Sequence, residues 1–135
     1  CRESGLQLGY HTHSYEYQNV DGQPWIQYMM DHIDANNMFW QMDVYWCVMA
    51  QQAPCEWFAK YPGRFKLLHI KDHYEVGYSG MVGYDAIFNN AAKCGLQGYI
   101  VELENSTPGI DILTGVKMSV DYLRKAPFVK ASYAK

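Results

Sequence analysis

The feature that most constrains this chain is an alternation repeated four times: a short apolar run, then a segment whose large apolar residues recur at helical spacing. The runs are residues 6–13 (LQLGYHTH), 38–46 (MFWQMDVYW), 65–72 (FKLLHIKD) and 99–104 (YIVELE), and they predict strands. The segments between and after them predict helices over residues 25–33, 55–60, 84–93 and 110–125. Pro24 and Pro54 suit helix starts, while Pro62-Gly63, Gly95 and Ala126-Pro127 mark stops. Residues 77–83 form a glycine-rich loop, and residues 128–135 read as an extended tail.

Strand–helix alternation of this kind argues for βαβ units, a parallel sheet and a covering layer of helices. Mostly apolar strands fit burial on both faces. No G-x-G-x-x-G or P-loop glycine pattern follows the first strand, which counts against a nucleotide-binding doubly wound sheet. Repetition of one βα unit suits a barrel, and a full (β/α)8 barrel takes eight units in roughly 250 residues. This chain of 135 residues supplies four. The expected fold is therefore α/β, a single domain over residues 1–135 that forms half of a (β/α)8 barrel.

Composition narrows the function. The net charge is -3, with acids and bases interspersed, so no basic run points to nucleic acid. No apolar run approaches the ~20 residues of a membrane span. Aromatic residues make up 16%, with 12 tyrosines, which fits either a carbohydrate pocket or a tyrosine-rich core. Cys1, Cys47, Cys55 and Cys94 show no C-x-x-C or zinc-finger spacing and read as free thiols, which leaves the compartment open. The opening CRESG reads as a last helical turn stopped by glycine, so a segment upstream is expected.

Each strand ends in ionisable residues that do not belong in an apolar core. Side chains two apart share a strand face, which pairs His11 with His13, Asp43 with Tyr45, His69 with Lys71, and Glu102 with Glu104. Singly, each has an ordinary explanation. A strand-end Asp caps the next turn, and Glu102 can pair with Lys71. Together, four strands deliver His, Asp, His and Glu to the rim where barrel active sites lie, and burying so many charges without a cation is costly. Nitrogen plus carboxylate ligation suits Mn, Co, Fe, Ni or Zn, with Mg possible.

The segments GYHTHSYEY, QMDVYW, RFKLLHIKDH, GMVGYDAIF and YIVELE resemble the sugar phosphate isomerase/epimerase family of the xylose isomerase-like barrel superfamily. The resemblance runs from about Leu6 to about Lys125 and covers strands five to eight of that barrel, its C-terminal half. It implies a divalent metal (Mn, Mg, Co or Zn) held by His11, or by His13 of the same pair, with Asp43, His69 and Glu102. It implies Glu102, Lys71 and His11 as catalytic residues, and His13, Tyr45, Lys71 and Glu104 against a sugar. The implied reaction is isomerisation or epimerisation through an enediolate, with a carboxylate taking the proton and Lys71 meeting the developing oxyanion. His11 stands where many epimerases place a Glu, which weakens a symmetric two-Glu mechanism. Trp40 and Trp46 fall on the strand face opposite Asp43, so Tyr45 is the aromatic expected in the pocket.

Three alternatives remain: an inosose dehydratase-like lyase, a repair endonuclease, which the net charge disfavours, and an inactive half-barrel with only structural or metal-binding capacity. The expected partners are a small sugar and either a second copy of the chain or a missing N-terminal half, with neither nucleic acid nor membrane. Members of the resembled family occur in the bacterial cytoplasm and as exported proteins, so either cytoplasm or periplasm fits.

Overall fold

In the computed structural model, which describes residues 1–133, the chain alternates strands and helices as the pattern requires. Strand β1 (Leu8–His11) is followed by a small hairpin, β2 (Asn19–Val20) and β3 (Gln23–Pro24), and by helix α1 (Trp25–His32). Strand β4 (Met38–Asp43) leads into helices α2 (Val44–Met49) and α3 (Pro54–Lys60). Strand β5 (Leu67–Ile70) precedes α4 (Tyr84–Asn89) and α5 (Ala91–Cys94), and β6 (Gly98–Val101) precedes the long α6 (Ile112–Lys125). The four long strands form one parallel sheet in the order β1-β4-β5-β6, which is four βα units of a barrel wall.

Several boundaries differ from expectation, each for a local reason. The second run is a strand only as far as Asp43. The Asp43 carboxylate accepts the Trp46 amide at 2.9 Å and caps α2, so residues 44–46 become helix despite their β-favouring side chains. The helix expected over residues 84–93 breaks at Asn90 into α4 and α5. The turn at Asp21-Gly22 has positive φ at both residues (51° and 89°) and so folds a hairpin where only a turn was expected. Beyond the formal strand ends the ladder continues: Thr12 donates to the Gln41 carbonyl and Glu102 to that of Ile70, both at 3.0 Å. The tail packs against the body, with Phe128 and Tyr133 on Phe88 and Tyr133 also on Tyr99. Residues 134–135 of the expected extended tail lie outside the described residues.

Alternation along the strands divides the sheet cleanly. Trp40, Met42, Leu68 and Ile70 face the helices and are fully buried with Ile26, Phe58, Ile87 and Phe88. The opposite face would look into a barrel. It carries Phe39, Gln41, Leu67 and Ile100 below the polar rim, and Ile100 is 51% exposed. Gly9 leaves room on this face for the Phe39 ring, whose tip would stand 2.5 Å from a Cβ there. All four cysteines are free thiols. Among the described residues no helix is long and apolar enough to cross a membrane.

Candidate metal centre and substrate cleft

Register puts the rim together. Asp43 pairs with His69, and His11 pairs with Gln41 two residues before Asp43, so the carboxyl ends of β1, β4 and β5 lie side by side within two residues of one another. There His11 Nε2 lies 2.7 Å from His69 Nδ1, and Asp43 Oδ2 lies 3.4 Å from the first and 3.8 Å from the second. All three ligand atoms fall within 4.8 Å of one another.

Burial dominates the electrostatics of this triad. Asp43 is fully buried, and burial pushes its carboxyl up to about 7. Burial, with His11 beside it, pushes His69 down to about 4, and burial followed by the nearby His13 lowers His11. Burial thus disfavours the charged form of each group. Two imidazole nitrogens and a carboxylate oxygen converging in a buried place are a donor set for a divalent transition metal. The residues present fit such an ion.

The surroundings fix this arrangement. Glu102 Oε2 lies 2.6 Å from His69 Nε2. With that nitrogen donating to Glu102, Nδ1 is left with a free lone pair facing the triad. Asp43 is held twice, by the Trp46 amide on Oδ1 and by its own amide donating to the buried Thr12 hydroxyl at 3.2 Å. Glu16 is fully buried and accepts from the Tyr10 hydroxyl at 2.9 Å and the His13 amide at 2.8 Å, fixing the segment that carries His11 and His13. No motif in the sequence singles out Glu16. Its partners three and six residues away give no periodic signal.

Of the four metal ligands expected from sequence, His11, Asp43 and His69 converge, and Glu102 stands on the far ring nitrogen of His69. His13 sits beside His11, with ring centroids 4.6 Å apart, and stacks on Tyr15. Lys71 is buried and pairs with Glu104 at 2.7 Å, not with Glu102. That ion pair holds the Glu104 carboxyl below the usual range. Tyr45, Trp46, Lys71, His73, Tyr74, Glu104, Asn105 and Ser106 line a cleft of about 420 Å³ beside the triad. Tyr45 is mostly buried, with its hydroxyl 3.2 Å from His73 Nδ1 and its ring 5.7 Å from Lys71 Nζ. Strand parity misplaces Trp46: it lies on α2, lines the cleft and stands 5.9 Å from Lys71 Nζ. Trp40 is on the helix side as expected, edge-on to Tyr10.

A four-stranded parallel sheet of βα units, with ionisable side chains at the carboxyl ends of its strands, is half of a (β/α)8 barrel. Over 96% of its length the chain superposes on a sugar phosphate isomerase/epimerase from Parabacteroides distasonis, with 41% identity and a TM-score of 0.91. A second solved structure of a sugar phosphate isomerase/epimerase from the same organism matches 90% of the chain at 40% identity and a TM-score of 0.85. The chain spans 48% and 46% of those two proteins, about half their length. No protein-family model and no curated protein matches it. The resemblance read from the motifs therefore holds: the chain is similar in sequence and in fold to the sugar phosphate isomerase/epimerases.

Proposed function

We propose that the chain supplies the metal-binding half of a divalent-metal-dependent isomerase or epimerase acting on a sugar or sugar derivative. The observation that carries this reading is the convergence of His11, Asp43 and His69 on one point, beside a cleft that offers a carboxylate and a lysine. A bound divalent ion would polarise the substrate carbonyl and its neighbouring hydroxyl.

The chain's own residues supply the remaining chemistry. Glu102, 29% exposed at its side chain and next to the cleft-lining Glu104, takes the proton from the carbon next to the carbonyl. His69 Nε2 holds the Glu102 carboxylate in place at 2.6 Å. Lys71 donates to the oxygen that gains charge as the enediolate forms, and Glu104 aims its ammonium group. His11 and His13 border the other side, where a proton is returned to the adjacent carbon. Tyr45 and Trp46 present ring faces to the sugar's C–H groups. Loss of hydroxide from the same intermediate would make the enzyme a dehydratase-like lyase, and product analysis separates the two outcomes.

The edges of β1 and β6 and the inner sheet face call for a partner. Leu6, Leu8 and Ile100 are exposed there, and an open parallel edge with apolar neighbours invites pairing. The working unit in this reading is a closed barrel, made either from two copies of the chain or from this half and an N-terminal half. Turnover of candidate sugars by the metal-loaded assembly, lost on chelation and restored by Mn²⁺, Co²⁺ or Zn²⁺, tests the proposal. Turnover indifferent to chelation would refute it.

A further inference from the structure

The rim also bears on which sugar can be bound. In (β/α)8 barrels a substrate phosphate is usually gripped by the loops after strands seven and eight and by an adjacent helix N-terminus, through free backbone amides. The resemblance makes β5 and β6 those two strands, so this phosphate corner lies within the chain. At each of its three parts a carboxylate of the chain itself occupies the anion position.

In the loop after β5, buried Asp72 accepts from the His73 amide at 2.8 Å, the Gly77 amide at 3.0 Å and the Ser79 hydroxyl. Buried Glu75 accepts from the Thr107 amide at 3.0 Å and the Thr107 hydroxyl at 2.6 Å, tying the loop after β5 to the loop after β6. At the N-terminus of α6, Asp111 accepts from the Leu113 amide at 3.1 Å and the Thr114 amide at 3.0 Å. Among the described residues lining the cleft, Lys71 is the one lysine or arginine, and Glu104 already neutralises it. The remaining polar lining is largely of the kind that meets hydroxyl groups: Asn105, Ser106 and the Tyr45–His73 pair.

A dianionic phosphate entering here would meet Glu104, with Glu102 next to it, no unpaired lysine or arginine in the lining, and amides already turned inward. We infer that the substrate is an uncharged sugar or polyol and not a sugar phosphate. This rests on the sugar-isomerase reading of the same site and specifies its substrate class. Specificity comes from like-charge repulsion and from anion positions already filled.

The test is calorimetric titration of the metal-loaded assembly with unphosphorylated pentoses and hexoses in aldo and keto forms. Each is compared with its terminal monophosphate, and inorganic phosphate is used as competitor. The expected result is that a neutral sugar binds, that its monophosphate binds at least ~10-fold more weakly, and that inorganic phosphate does not displace it. Glu104→Gln, which frees the Lys71 charge, should narrow that ratio. A monophosphate binding as tightly as its parent sugar, or displacement by inorganic phosphate, would overturn the inference while leaving the isomerase reading intact. Failure of every sugar, neutral and phosphorylated, to bind the metal-loaded assembly would instead reject the isomerase reading, and this inference with it.

Discussion

Glu102 meets His69 at 2.6 Å through the ring nitrogen that faces away from Asp43. In the proposed reading, one carboxylate sets the tautomer of the imidazole that would face the metal and also serves as the base. In Glu102→Gln the amide oxygen can still accept from His69 Nε2, so the ring keeps its orientation while the base is lost. Turnover should fall by ~10²–10⁴-fold, with metal affinity changed far less. Turnover near wild type would remove Glu102 from the catalytic role.

Asp43→Asn keeps the helix cap, because an amide oxygen can still accept the Trp46 amide. The fold should survive, and affinity for Mn²⁺ or Zn²⁺ should drop by more than ~10-fold by titration calorimetry, since the charged ligand is gone. Unchanged metal affinity in a folded variant would place the ion elsewhere.

Lys71→Met removes the buried ammonium and leaves the solvent-facing Glu104 free, so stability should change little. The expected cost is ~10²–10³-fold in kcat, from lost oxyanion stabilisation. A rise in KM alone would make Lys71 a binding residue only.

The Glu75–Thr107 link predicts a pH effect on stability whose sign is fixed. Thr107's hydroxyl is the main influence holding the Glu75 carboxyl below the usual range. A folded-state pKa below the unfolded value of about 4.3 contributes stability above that pH, and this is lost as pH falls through the folded value. Thr107→Val should therefore cost about 1–2 kcal/mol near pH 7, with the gap to wild type closing below about pH 4 in urea titrations. A gap independent of pH would show that the hydroxyl does not act on the ionised Glu75.

Exposed β1 and β6 edges predict that the isolated chain does not sediment as a well-folded monomer at micromolar concentration. Sedimentation velocity should report a dimer, or association with an added N-terminal half. A stable monomer with the inner face open would contradict the closed-barrel unit.

Much of this arrangement was legible because strand ends are simple objects. Apolar runs located β1, β4, β5 and β6, and period-two alternation placed His11, Asp43 and His69 on one face. The errors began where a residue served two purposes. Asp43 is both rim carboxylate and helix cap, so the strand expected through Trp46 ends at Asp43, α2 forms where no helix was expected, and Trp46 turns from the presumed back of a strand into the cleft. Glu16, Asp72 and Glu75 were not assigned roles, because each acts by collecting amide or hydroxyl donors from loops. Thr107, for instance, lies 32 residues beyond Glu75, and no periodicity connects them.

The most direct test of the central claim is a crystal structure of the chain grown with Mn²⁺ or Zn²⁺, with anomalous scattering measured at the metal edge. The account predicts one strong peak bound by His11 Nε2, Asp43 Oδ2 and His69 Nδ1, at about 2.0–2.3 Å from each. A fully loaded crystal with no peak at that point, or with its peak away from those three residues, would contradict it.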